Sequence, residues 1–194
     1  MRSPGLSLSL ALLLAGALPA TELSLDKIFA QTARPGASQT AWRPDGGQLT
    51  HVVKEEAGSE LRGIDPATGK VIWKLAYADL KTAPENPAIT PATYRWSPRS
   101  DALLFAADGD LYLYRLGDRS LERLTETAAK EEGAAFSPDG SRLAYVRDGN
   151  LFVRDLAADH ERQLTTDGKD NEILNGQNDW VYWEEIWNRQ ATGF

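Results

Sequence analysis

Ala134-Ala135-Phe136-Ser137-Pro138-Asp139-Gly140, with Asp148-Gly149-Asn150-Leu151 just beyond it, decides the fold. Both stretches have a counterpart 40 residues upstream, in Tyr94-Arg95-Trp96-Ser97-Pro98 and Asp108-Gly109-Asp110-Leu111. The register then holds without a gap from Leu116 and Leu156 to Leu124-Thr125 and Leu164-Thr165. A fixed period near 40 with several short strands per unit is the signature of a propeller. An earlier copy, Ala41-Trp42-Arg43-Pro44-Asp45-Gly46, lies 54 residues before the second, its extra length falling in a polar, Pro-rich link from Tyr77 to Pro91.

Within a unit the residues spell strand, turn, strand. In Ser137-Pro138-Asp139-Gly140 the proline fixes φ and the glycine supplies a positive φ. Leu143 to Val146 alternate as one strand, Arg147-Asp148-Gly149-Asn150 is a hairpin turn, and Leu151 to Arg154 return. Asp65-Pro66-Ala67-Thr68-Gly69-Lys70 turns again before Val71-Ile72-Trp73. The carboxylates of these turns form structure rather than do chemistry. Trp42, Trp96 and Phe136 recur at one place in each unit and read as blade core. The expected fold is all-β: residues 37–194 form an incomplete β-propeller of about three to four blades, with a short helix added near the end.

The start of the chain has a different character. Met1-Arg2, the apolar run Leu6 to Leu14 and the small residues Ala15, Ala17 and Ala20 read as a secretory signal peptide over residues 1–20. The run is too short for a comfortable span, so no membrane span is expected after its removal, and a periplasmic or secreted location is. Residues 21–36 read as a short lead-in, with Ser24 able to cap and Ile28 and Phe29 able to pack. The net charge of −7 argues against nucleic acid or anionic membrane as partners. There is no cysteine, hence no disulfide. The two histidines, His51 and His160, have no ligand-like spacing, so no metal and no cofactor is expected.

Chemical specificity concentrates in Asp179-Trp180-Val181-Tyr182-Trp183-Glu184-Glu185-Ile186-Trp187-Asn188-Arg189. Trp180, Trp183 and Trp187, spaced three and four apart, predict a short helix with an aromatic stripe that carries Glu184 and Glu185 on or beside its open flank. Adjacent carboxylates repel unless a cation sits between them, and a primary ammonium with three donors suits that place. An arbitrary Glu-Glu pair would be a solvated face.

Asp-Trp-x-Tyr followed by a Glu-Glu pair resembles the signature of the propeller domain of dipeptidyl peptidase IV and its bacterial relatives, in the prolyl oligopeptidase family of serine peptidases. In that family the two glutamates hold the free N-terminal ammonium of a peptide substrate, and the resemblance assigns that role to Glu184 and Glu185. Trp183 departs from the pattern, since a third acid often stands there in the family. The family's substrate-binding arginine has no motif by which to place it here.

What the resemblance implies is the propeller portion of a serine exopeptidase that releases X-Pro or X-Ala dipeptides, a peptide with a free N-terminus being its partner. The family's Ser, Asp and His lie in a C-terminal α/β-hydrolase domain. This chain has no Gly-x-Ser-x-Gly elbow and keeps its histidines inside propeller repeats, so no catalytic residue is assigned. Phe194 falls where a further Trp-Ser-Pro-Asp-Gly copy is expected, so the chain reads as a fragment whose hydrolase domain is missing. Dimers are common in the family, which leaves a homodimer open. The competing reading is a non-catalytic periplasmic propeller of the TolB type that binds proteins and shares the Ser-Pro-Asp-Gly repeat.

Overall fold

Asp148-Gly149 and Asp108-Gly109 both lie in the left-handed region, at φ of 49° and 69° and of 50° and 94°, the geometry that a tight two-residue hairpin demands. In this computed structural model, residues 40–56, 58–80, 89–90, 93–186 and 192–194 are described. The signal-peptide and lead-in expectations for 1–36, and the first residues of the propeller stretch, lie outside the described residues.

Three four-stranded antiparallel sheets follow one another, each a meander in sequence order. Blade I holds β1 (Thr40–Trp42), β2 (Leu49–Glu55), β3 (Gly58–Ile64) and β4 (Val71–Ala76). Blade II holds β5 (Arg95–Trp96), β6 (Ala102–Ala107), β7 (Asp110–Arg115) and β8 (Ser120–Arg123). Blade III holds β9 (Glu132–Phe136), β10 (Arg142–Arg147), β11 (Asn150–Asp155) and β12 (His160–Gln163).

The 40-residue repeat survives down to single hydrogen bonds. Ser100 N donates to Ser97 O as Gly140 N does to Ser137 O, and Leu111 N donates to Thr125 Oγ1 as Leu151 N does to Thr165 Oγ1, each of this last pair at 2.9 Å. The turns also join successive blades. Asp45 N donates to Ser100 Oγ at 3.0 Å, and Arg99 Nε donates to Asp139 O at 2.6 Å. Asp139 itself is bound by the Ser137 hydroxyl and by the amide and hydroxyl of Ser141, which hold its carboxyl well below the usual range. These turn carboxylates are therefore structural.

Blade II is buried on both faces because its strands carry apolar side chains at consecutive positions. Leu103, Phe105, Tyr112 and Tyr114 join Leu61, Leu75 and Leu80 of the blade I side in one core. Ala102, Leu104, Leu111 and Leu113 join Leu143, Tyr145 and Phe152 of blade III in another. A period of two on each strand delivers each set to its own side. The Pro-rich link contributes to the first core: Leu80, ending a 3-10 turn over Tyr77–Leu80, and Ile89 are both buried.

Of the expected aromatic core positions, Trp96 and Phe136 pack against the two cores and Trp42 needs correction. Trp96 and Phe136 are equivalent but half-buried, and Trp42 is 59% exposed. The largest fully buried side chains are instead Tyr112, Tyr145 and Phe105. Trp96 stacks edge-on against Trp73 and Tyr94 and donates to Thr50 Oγ1, so it joins blades I and II at a polar boundary. A Cβ on Gly63 would lie 2.1 Å from the Trp73 indole nitrogen. Gly63→Ala should therefore destabilise the chain by about 1–3 kcal/mol through displacement of Trp73, measured by urea unfolding. An unchanged midpoint would contradict this packing.

Apolar surface at Trp42, Val71 and Ile72 on blade I, and at Leu164 near blade III, is exposed. The isolated chain should self-associate through such surface and through open strand edges. Sedimentation of a monodisperse monomer with one cooperative thermal transition would count against that expectation.

Candidate functional site

Blade III hands the chain to the site through a sequence of polar ties. Asn150 Oδ1 accepts from Gly168 N at 2.8 Å, and Asn175 donates from its backbone N and from Nδ2 to Gly149 O at 3.1 and 3.2 Å. Gln177 and Thr192 then pair as an isolated antiparallel bridge, flanked by Gly193 N donating to Gly176 O.

Asp179 starts the turn that carries the acid pair. Its Oδ1 accepts from the amides of Val181 and Tyr182 at 2.9 and 3.0 Å, and its carbonyl accepts from Trp183 N at 2.8 Å. This is the capping role of an aspartate, which satisfies the amides of Val181, Tyr182 and Trp183 at the start of the turn.

Glu184 and Glu185 follow on a single π-helical turn, Tyr182–Ile186. Here the expected short helix with an aromatic stripe is corrected. Trp180 is 71% exposed, Tyr182 and Ile186 are also exposed, and no residue of the turn is buried. Trp187, the third member of the expected stripe, lies outside the described residues. The physical reason is the wider i→i+5 winding, which breaks the three-and-four spacing that would align the rings.

Both carboxylates are exposed on the same turn, within reach of a solvent-borne ligand. On a helical turn neighbouring side chains do not point to opposite faces as they do on a strand. The arrangement can present two anionic oxygens pairs and flanking aromatic surface to one cation.

His51 accepts or donates at Nδ1 with Thr40 Oγ1 on the outer part of blade I, and His160 is exposed on β12. No cluster of three metal-ligating side chains occurs among the described residues. A cleft of about 450 Å³ between blades II and III, lined by Tyr94, Arg95, Phe105, Glu131 and Ala134, is not lined by the acid pair.

Sequence reasoning missed the buried charges beside that cleft. Glu131, whose side chain is fully buried, accepts from Arg147 Nε at 2.6 Å and from the hydroxyls of Thr125 and Thr127. Arg147 also makes a bidentate pair with Glu161 and lies 4.6 Å over the Phe152 ring. Burial would raise the Glu161 carboxyl, but hydrogen bonds from Arg147 and Tyr145 outweigh it and hold the carboxyl below its ordinary value. Its folded pKa being depressed, the stability it contributes is complete above about 4.3 and is lost as pH falls through the lower folded value. Thermal melts between pH 7 and 3 should show a slope that Glu161→Gln flattens. Parallel slopes would contradict the pairing.

Three consecutive four-stranded meanders with a carboxylate-bearing excursion after the third define a portion of a β-propeller. Residues 108–194 match the family model described as Dipeptidyl peptidase IV (DPP IV) N-terminal region. Prolyl endopeptidase FAP of Homo sapiens is 37% identical over 75 residues, 39% of this chain and 10% of that protein. Probable dipeptidyl-aminopeptidase B of Paracoccidioides brasiliensis is 24% identical over 197 residues, 88% of this chain and 21% of that protein. The crystal structure of Porphyromonas gingivalis dipeptidyl peptidase 4 superposes with a TM-score of 0.66 at 27% identity, over 86% of this chain and 25% of that one. The chain thus carries a dipeptidyl peptidase IV-like N-terminal propeller portion. It spans only about a tenth to a quarter of the length of these relatives.

Proposed function

We propose that this propeller portion recognises the free N-terminus of a peptide, as part of a longer, exported serine exopeptidase that releases N-terminal dipeptides. The observation that carries the reading is the capped, exposed turn on which Asp179 supports Glu184 and Glu185 side by side. The ammonium of the substrate donates to both carboxylates, while an internal peptide segment, having no ammonium, offers them nothing. A propeller beside a hydrolase domain also limits access, so that recognition of the terminus sets the length of the released product. Acyl transfer itself belongs to a Ser-His-Asp triad outside this chain.

The relatives named dipeptidyl-aminopeptidase and dipeptidyl peptidase support this reading, as does the Asp-Trp-x-Tyr context of the pair. The experiment is to read the coding sequence beyond the codon for Phe194, express the whole product and assay release of Ala-Pro from a free-amine chromogenic substrate. A serine-directed fluorophosphonate should label the product and abolish the release. Further propeller repeats with no hydrolase domain, and no dipeptide release, would refute it.

A further inference from the structure

Glu132 and Gly133 stand where blade III departs from the repeat. Ala92 and Thr93 hold the corresponding positions one period earlier, and β5 begins only at Arg95 whereas β9 begins at Glu132. Gly133 lies at φ +62°, and the β9–β10 register shifts between Ala144 and Val146, so the start of β9 is bulged. Bulges re-aim the groups that they carry. Here the Gly133 carbonyl accepts from Thr192 Oγ1 at 3.3 Å, and Glu132 Oε2 accepts from Gln177 Nε2 at 2.6 Å.

Gln177 and Thr192 are the two residues of the bridge that closes the excursion. Asn178 Nδ2 donates to Thr192 O at 3.3 Å. Gly176, at φ +76°, sits so close to blade III that a Cβ there would be 3.1 Å from Val146 and Leu151. Both strands of the neck are thus fixed to blade III, and Asp179, the cap of the acid turn, is two residues beyond Gln177.

We propose that Glu132 and Gly133 are positioning residues for the ammonium site: the bulged start of β9 is the seat that sets where Glu184 and Glu185 stand. This rests on the reading of that pair as an ammonium site. The bulged start of β9 presents the Gly133 carbonyl and the Glu132 carboxylate to the excursion.

The test uses the full chain with Ala-Pro amide and N-acetyl-Ala-Pro amide as probes, read by tryptophan fluorescence, and hydrogen exchange at Gly193 and Trp183. Gln177→Glu sets two carboxylates against each other. It should deprotect Gly193 and weaken free-amine binding about three- to tenfold, while Leu151 and Leu156 in blade III stay protected. The swap Glu132→Gln with Gln177→Glu restores an amide-to-carboxylate bond in the opposite sense and should recover both readouts. Thr192→Val, which removes only a hydroxyl, should act in the same direction more weakly. Unchanged protection in Gln177→Glu, no recovery in the swap, or an amine preference that survives loss of protection would overturn the seat alone. A wild-type chain that does not distinguish the two probes would overturn the ammonium reading and the positioning role with it.

Discussion

Arg147→Met should lower the unfolding free energy by about 3–5 kcal/mol, because it strands the Glu131 carboxylate, whose side chain is fully buried, without its cationic partner. The neighbouring hydroxyls of Thr125 and Thr127 remain, but hydroxyls do not neutralise the charge. Packing is lost as well, since the guanidinium lies over both the Phe152 and the Tyr145 rings. Adding Glu131→Gln to Arg147→Met should recover a substantial part of the loss, for the buried charge is then gone. Urea unfolding of the two single variants and the double variant measures the coupling. A near-neutral Arg147→Met would show that this buried charge pair does not stabilise the fold.

The second large effect concerns Glu184 and Glu185 in the whole exopeptidase. If the proposed function holds, replacing either with Ala removes a charge-assisted hydrogen bond to the ammonium worth about 1.5–3 kcal/mol, hence roughly ten- to more than a hundredfold in kcat/KM. Fold stability should hardly change, because both side chains are exposed and the turn is organised by Asp179 through its own carboxylate and carbonyl. Asp179→Ala should differ in kind: it removes the cap, at a cost of about 0.5–2 kcal/mol to the turn, and weakens recognition by misplacing the pair. Equal thermal stability but full activity in the two Glu variants would contradict the assigned role.

The blades were legible in the sequence because their determinants are local. Asp-Gly at 108–109 and 148–149 forces the left-handed hairpin by its own chemistry, and Pro138-Asp139-Gly140 does the same for the turn before β10. A period of 40 then needs only counting. The acid pair stands out in the sequence by its unusual company of aromatic residues, and its place on one turn follows from adjacency in sequence.

Other features depend on partners far along the chain. Arg147 on β10 meets Glu131, just before β9, and Glu161 on β12, and nothing in the local letters marks Glu131 as buried. Leu80 and Ile89 looked like parts of a polar link, yet they close the core of blades I and II because apolar positions there face Leu103 and Tyr112. Trp42 repeats the place of Trp96 but not its surroundings, since Trp96 meets Trp73, Tyr94 and Thr50 while Trp42 stays largely exposed. The tryptophan spacing suggested an α-helical stripe, whereas the capped turn winds more widely, exposing Trp180 and Tyr182 while Trp183 is half-buried. Asp179 did carry a signal: an aspartate just before a helical turn is a cap.

The central claim is recognition of a free ammonium by Glu184 and Glu185. Its most direct measurement is kcat/KM of the whole enzyme for Ala-Pro anilide against N-acetyl-Ala-Pro anilide, before and after the double change Glu184→Ala and Glu185→Ala. The account predicts a free-amine preference of at least about tenfold in the unaltered enzyme, and its disappearance in the double variant through loss on the free-amine substrate alone. Full activity of the double variant on the free-amine substrate would contradict it.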